Sequence, residues 1–328
     1  MARLLDKNRQ QIIEANSRDL ENFDSSDRAM YDRLVVNDQK VDAMIKAVNE
    51  VHNQEDPVGR IISDTTLKNG LKIQNKTSPF GTIMIIYESR PDVTVEAAVL
   101  AFKANSKILL KGGKEAINSN QALVECWHSA LEKNDLNKDL ITLLTIDRQE
   151  TQEFLKSPSE KLDLIVPRGG EELIAFVKQH AQCAVLVSGR GNNFMYIHED
   201  ANWNSALEVI LNAKTQKISA CNALDKILIH KGIPDFPSKV QSLREVLMEH
   251  NVELALDASL KAVVPSGNSF AKKELWFEEF LEMKALLGAV DNLEEAIDMI
   301  NKYSGGHSSS IMCKSKRAAK TFMEQVDS

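Results

Sequence analysis

The chain of 328 residues is 43% hydrophobic and 27% charged, an ordinary globular composition, and is longer than one hydrophobic core normally serves, so two domains are expected. Its formal charge of -7 and pI near 5.6 argue against a nucleic-acid-binding surface, which needs a basic field. No run is apolar and long enough to cross a bilayer, and Met1 to Arg9 carries charges where a signal peptide needs an apolar run, so a cytoplasmic location is the default.

Residues 1–51 predict amphipathic helices. Leu4, Leu5, Ile12 and Ile13 mark one apolar face and Val41, Ile45, Val48 and Val51 another, with the polar stretch Asp24 to Arg28 as the break. Asn69-Gly70, a turn dipeptide between the short runs of Thr66 to Lys76, predicts a hairpin. From Thr82 onward apolar runs alternate with helical patterns, which builds a parallel sheet with helices on its faces. Strands are predicted at Thr82 to Tyr87, Lys107 to Leu110, Leu140 to Ile146, Leu162 to Val166 and Ala184 to Val187. Helices fit at Val93 to Ala104, Ser119 to Lys133, Thr151 to Lys156 and Glu171 to His180. Ligands of such sheets bind at the carboxyl ends of the strands, which lines up Tyr87 to Asp92, Lys111 to Glu115, Pro167 to Gly170 and Ser188 to Asn193.

Two of these ends have the chemistry of a nucleotide site. Lys111-Gly112-Gly113-Lys114 offers cations where glycine lets a ligand approach the backbone, and Pro167-Arg168-Gly169-Gly170 opens a helix whose N-terminal amides attract phosphate. Neither is specific by itself, because Gly-Gly after a strand is more often just a turn, by roughly two to one. A Walker phosphate loop and the Gly-x-Gly-x-x-Gly fingerprint are both absent from the sequence, which disfavours a kinase or an ordinary Rossmann dehydrogenase.

From Gly189 a second region mixes strands, at Phe194 to Ile197, Leu224 to Ile229, Lys261 to Val264 and Ser308 to Met312, with helices around Ser242 to His250, Leu293 to Lys302 and Ser315 to Met323. The four cysteines are too far apart for a zinc site, and disulfides are not expected in a cytoplasmic protein. Cys126, Cys183 and Cys313 fall on apolar patterns; Cys221 ends the polar segment Asn212 to Asn222. It reads either as a nucleophile, with Lys214 and Lys217 near enough in sequence to favour the thiolate, or as a small buried filler. His307, in the glycine turn Tyr303 to Ser310, reads as a loop residue or a catalyst.

Taken together, Tyr87-Glu88-Ser89-Arg90-Pro91-Asp92-Val93-Thr94-Val95-Glu96-Ala97-Ala98, Lys111-Gly112-Gly113-Lys114-Glu115, Pro167-Arg168-Gly169-Gly170, Asn212-Ala213-Lys214-Thr215-Gln216 with Cys221-Asn222, and Gly306-His307-Ser308 resemble the gamma-glutamyl phosphate reductase family of the aldehyde dehydrogenase superfamily. The blocks follow the family's order over most of the chain. The resemblance implies an α/β, aldehyde-dehydrogenase-like fold: an open parallel-sheet cofactor domain from residues 1–65 and 82–188, an oligomerisation hairpin at 66–81 and an α/β catalytic domain at 189–328. It implies NADPH-dependent reduction of gamma-glutamyl phosphate to glutamate semialdehyde, in proline biosynthesis, through a thioester on Cys221. A non-catalytic nucleotide-binding or subunit-interaction protein on the same fold is the alternative; a metal is not implied.

Carried across residue by residue, the resemblance gives Cys221 as nucleophile, with its own N–H, Asn222 or a polar group of the Ser89 turn as oxyanion donors. It gives Lys111 as a ribose contact within a cofactor set of Lys111, Gly112, Gly113, Lys114, Pro167, Arg168, Gly169 and Gly170, and Glu279 as the nicotinamide-ribose contact. Arg90, Lys214, Lys217 and His307 are the implied substrate contacts. Val187 or Ser188 stands where oxidising members keep a general-base glutamate, which suits a reductase. Departures from the family pattern are Asp92 for a frequent asparagine, Lys217-Ile218 for Arg-Pro, Ala220 for a threonine, and Ser308-Ser309 for a serine followed by an acid. The family pattern continues beyond Ser328 into a strand that would pair the hairpin in an oligomer. The chain as written is therefore expected to bind cofactor with weak or no reductase activity, and to be monomeric or prone to non-native association.

Overall fold

The computed structural model describes residues 1–21, 23, 24, 28–218, 220–264 and 270–328. The expected break at Asp24 to Arg28 therefore lies partly outside the described residues, as does Ser219 of the cysteine segment. The chain divides into two units, Met1–Val187 and Ser188–Ser328.

The first unit begins with α1 (Ala2–Lys7), α2 (Arg9–Leu20), α3 (Arg28–Leu34) and α4 (Asp38–Asn53). Leu5, Ile12, Val41, Met44 and Val48 bury against the helices that follow, so this charged segment is a packing layer with one apolar side. The hairpin strands β1 (Ile61–Thr66) and β2 (Lys72–Lys76) pair antiparallel, with Gly70 at φ +85° in the turn between them. The hairpin starts at Ile61, before the expected boundary, and every residue of both strands is exposed.

Five strands make the sheet of this unit: β3 (Thr82–Tyr87), β4 (Lys107–Lys111), β5 (Ile141–Leu143), β6 (Leu164–Arg168) and β7 (Ala184–Val185). All pair parallel in the order β5-β4-β3-β6-β7, joined by α5 (Pro91–Lys103), α6 (Ile117–Glu132), α7 (Arg148–Lys156) and α8 (Glu171–His180). Apolar clusters cover both faces of the sheet, as a continuous Ile/Leu/Met run such as Ile83 to Ile86 requires. The chain lays strands to one side of β3 and then returns to the other, so the order reverses between β3 and β6. That reversal opens a crevice at the carboxyl ends.

The second unit carries β8 (Asn193–Ile197), α9 (Trp203–Thr215), β9 (Leu224–His230), α10 (Phe236–Glu249), β10 (Glu253–Leu256), β11 (Lys284–Val290), α11 (Leu293–Tyr303), β12 (Ser309–Met312) and α12 (Lys316–Gln325). Its strands also pair parallel, in the order β10-β11-β9-β8-β12.

Three expectations are corrected. Lys261 to Val264 is a turn after a short 3-10 helix, and the strands of that stretch are β10 and β11, which the pattern missed. β11 sits between β10 and β9 with Ala285 to Val290 buried, yet Lys-Ala-Leu-Leu-Gly-Ala-Val has a single β-branched residue. Its Gly288 is required because a Cβ there would lie 2.9 Å from the Trp276 ring. The strand expected at Leu162 to Val166 runs instead to Arg168, with Pro167 buried opposite Ile86, so only Gly169 and Gly170 form the turn into α8. Finally, Ser188 to Asn193 belongs to the second unit and enters β8 from its amino end.

Candidate active site

The crevice of the first unit holds a cavity of about 800 Å³ lined by Tyr87, by Lys111 to Glu115, by Leu144 to Arg148 between β5 and α7, and by Gly170 and Phe176 of the α8 side. Lys111, Gly112, Gly113, Lys114 and Gly170 of the expected cofactor set are brought together; Pro167, Arg168 and Gly169 do not line the cavity. The Lys111 ammonium donates to the Gly112 carbonyl at 2.7 Å, and burial lowers its pKa against the pull of Glu115 and Asp147. Arg148, at the first position of α7, adds a cation to the lining that the motif reading missed.

The glycines are explained differently from the sequence reading. A side chain at Gly112 would strike the Asn120 amide and one at Gly113 the Glu115 carboxylate, so these two glycines make room for the protein's own groups. Around Gly170, the residue before α8, a Cβ would meet nothing within 4 Å; that end of the helix is open to a ligand.

Ser89 has φ +21° and is 1% exposed. Its N–H and hydroxyl both donate to Glu115 Oε1, at 2.7 and 2.8 Å. Burial would raise the Glu115 pKa, but the bonds from Ser89 and from the residue's own N–H, together with the Lys111 charge, outweigh it and the carboxyl lies below its usual range. The Ser89 donors are thus already spent on Glu115, which removes them as oxyanion donors. Arg90 pairs with Asp92 at 2.9 Å, two residues on, so its charge meets a carboxylate within its own turn.

In the second unit the chemistry gathers at the amino ends of the strands. Cys221 is exposed in the turn between α9 and β9, while burial raises the thiol pKa of Cys126, Cys183 and Cys313. Those three are poorer thiolates for that reason. The turn is fixed from below by Asn193, 3% exposed, whose side-chain amide donates to the carbonyls of Gly191, Cys221 and Ala223, each at 2.8 Å. The Ser308 hydroxyl donates to Asn193 Oδ1 at 2.7 Å, tying in the strand β12. A side chain at Gly191 would strike both the Glu279 carboxylate and the Cys221 carbonyl. Gly189 is closed off in the same way by the backbone of Gly306 and His307. Loops leading into β8, β9, β11 and β12 therefore converge on the nucleophile. Asn193 was missed by motif reading; its only signal was an Asn-Asn pair opening a wholly apolar strand.

Asn222, the expected oxyanion donor, is exposed next to Cys221; of the expected substrate contacts, Lys217 is exposed four residues before Cys221, and His307 is part-buried with Nδ1 3.4 Å from the Ser308 hydroxyl. Lys214 is corrected. Its ammonium is fully buried and pairs with Asp225 at 2.9 Å, so it is committed to the interior. Asp225 also accepts the Phe280 N–H at 2.7 Å. The next residue, Lys226, is likewise fully buried: it donates to the Glu278 carbonyl at 2.7 Å and lies 3.4 Å from the centre of the Phe280 ring.

Burial, reinforced by Lys214 and Arg190 and opposed by Asp225 and Glu278, pushes the Lys226 ammonium from 10.5 down to about 7; Lys284 reaches the same Phe280 ring at 5.4 Å. Between those values the unfolded chain holds the proton that the folded chain has shed. Stability linked to this group is therefore present in full above about 10.5 and lost as pH falls through about 7. Urea denaturation at pH 7 and pH 9 should show that rise in the wild type, and a smaller one in Lys226→Met; equal rises would place the titration elsewhere.

Among the described residues there is no group of three or more His, Cys, Asp or Glu able to hold a metal, and no helix is long and apolar enough to cross a membrane.

Comparison with known proteins accounts for this arrangement. The aldehyde dehydrogenase family model matches residues 1–263. A gamma-glutamyl phosphate reductase from Nitratiruptor sp. is 39% identical over 98% of this chain and 78% of its own, and one from Thermotoga maritima is 38% identical over 100% and 79%. The crystal structure of the Thermotoga maritima enzyme superposes with a TM-score of 0.90 at 38% identity, covering 100% of this chain and 79% of that one. A propionaldehyde dehydrogenase from Clostridium phytofermentans shares the fold alone, with a TM-score of 0.67 at 16% identity over 98% of this chain and 81% of its own. With a parallel-sheet cofactor crevice, a second parallel sheet presenting one exposed thiol, and relatives of this kind across its whole length, the chain belongs to the aldehyde dehydrogenase family and, within it, to the gamma-glutamyl phosphate reductases.

Proposed function

We infer that the chain reduces gamma-glutamyl phosphate to glutamate semialdehyde and phosphate, with NADPH as reductant and Cys221 as nucleophile. The observation that carries the reading is the exposed Cys221 turn, anchored through its carbonyl to the buried Asn193–Ser308 pair. A thiolate held this way attacks the acyl carbon, phosphate leaves with the bonding pair, and a thioester remains. When bound, the nicotinamide cofactor supplies the hydride that takes the thioester to the aldehyde. The residues of the first unit fit such a group: a cavity of about 800 Å³, lysines at 111 and 114, and a helix start whose Gly170 leaves open space. Lys111, Lys114 and the backbone from Gly112 to Gly113 would hold its adenosine side, and Glu279 the nicotinamide ribose. The Cys221 N–H and Asn222 remain as oxyanion donors, and Lys217, Arg90 and His307 as contacts for phosphate or the substrate's charged groups. An exposed thiol on a fixed turn favours this over a merely nucleotide-binding protein.

The reverse reaction tests it: oxidation of glutamate semialdehyde with NADP should require inorganic phosphate, followed at the cofactor's absorbance. Oxidation that ignores phosphate would overturn the acyl-phosphate assignment. For cofactor choice, Lys111→Ala should weaken NADPH about ten- to a hundredfold and narrow its advantage over NADH, the worth of a charge-assisted bond of roughly 1.5 to 3 kcal/mol. Equal titration curves for both proteins with both cofactors would remove Lys111 from that role.

A further inference from the structure

Between the 3-10 turn at Lys273–Trp276 and β11, Glu278, Glu279 and Phe280 form no regular element, yet both backbone neighbours of Glu279 are held by consecutive residues of β9. Asp225 takes the Phe280 N–H at 2.7 Å, and Lys226 gives its ammonium to the Glu278 carbonyl at 2.7 Å while its Nζ lies 3.4 Å from the centre of the Phe280 ring. Both side chains come from the middle of a sheet, are 2% and 0% exposed, and follow the nucleophile by four and five residues. Glu279 itself is only part-buried, with its carboxylate against Gly191, whose other close neighbour is the Cys221 carbonyl. Charged groups at the start of a strand buried on both faces are costly to keep. Here they fix a carboxylate that borders the Cys221 turn.

We propose that Asp225 and Lys226 are positioning residues, a two-point clamp on residues 278–280 that sets the Glu279 carboxylate at Gly191 and so sets affinity for the nicotinamide end of the cofactor. Strands β9 and β11 pair directly, so the clamp is anchored in the sheet itself. Because Lys226 keeps an N–H for the Glu278 carbonyl in either protonation state, the backbone contact survives across the working pH range. The proposal rests on the reading of Glu279 as the nicotinamide-ribose contact, and its test is built so that the two can fail separately.

The test is a double-mutant cycle on NADPH binding, measured by fluorescence titration of the whole chain without substrate. Glu279→Gln and Lys226→Met should each weaken binding about tenfold, and the double variant should be little worse than either, because both act through one carboxylate. The rate of Cys221 alkylation by iodoacetamide in the absence of cofactor should stay near the wild-type value, which reports an intact nucleophile turn. Should Lys226→Met fail to fold, Lys226→Gln, which retains one donor for the Glu278 carbonyl, takes its place in the cycle and should lose less. Additive losses, or wild-type affinity in the Lys226 variant, would overturn the clamp. Unchanged affinity in Glu279→Gln would overturn both it and the ribose assignment. Absence of phosphate-dependent turnover in the wild type, with the cycle behaving as expected, would instead overturn the assigned reaction alone.

Discussion

Cys221→Ala should abolish phosphate-dependent oxidation of glutamate semialdehyde, with kcat falling on the order of 10⁴-fold or more, the scale seen when the nucleophile of a covalent mechanism is removed. NADPH affinity should be retained, because the cavity of the first unit contains no atom of Cys221. The other thiols are the internal comparison. Cys183→Ser and Cys313→Ser, at part-buried positions whose thiols burial raises, should keep turnover within a few-fold of the wild type. Alkylation followed by mass analysis should place the first-modified residue at Cys221, since it alone of the four is exposed. Turnover persisting in Cys221→Ala, with no thioester trapped on the wild-type chain, would mean that acyl transfer does not pass through this residue.

The parallel sheet of the first unit was legible because its strands are buried on both faces and so read as unbroken apolar runs, of which Thr82–Tyr87 and Lys107–Lys111 are the clearest. β11 was not, because Ala and Gly were selected there for packing, Gly288 under Trp276 in particular, and packing left no β-branched signature. The motif blocks singled out Cys221 and Lys111, and the family resemblance supplied Glu279 and Arg90, but Lys214 was placed at the nucleophile by nearness in sequence. Lys214 lies seven residues from Cys221 and its ammonium turns inward to Asp225 on β9; Arg90 is answered by Asp92 in the same turn. The groups that fix the nucleophile, Asn193 and Ser308, stand 28 and 87 positions away from it (221 - 193 and 308 - 221), and only pairing of β8 with β9 and β12 brings them together.

Lys214→Met should be a stability variant with its loss in folding, not in substrate affinity. The Lys214 ammonium is 0% exposed and its partner Asp225 2%, so removing the lysine strands a carboxylate in the interior. Removing one partner of such a pair costs about 3 to 5 kcal/mol, because the remaining charge keeps its desolvation penalty and loses its compensation. Asp225 would retain only the Phe280 N–H, one of its two partners. The double variant Lys214→Met/Asp225→Asn removes both charges, and the amide oxygen can still accept from Phe280, so most of the lost stability should return. Urea denaturation of the two variants, with NADPH and substrate KM measured well below the transition, separates the two roles of this lysine. A structural ion pair gives a large drop in the denaturation midpoint that the second change largely repairs, with KM little altered. A substrate contact gives the opposite, an unchanged midpoint and a raised substrate KM that the second change leaves in place, and that result would return Lys214 to the substrate site from which its burial removes it.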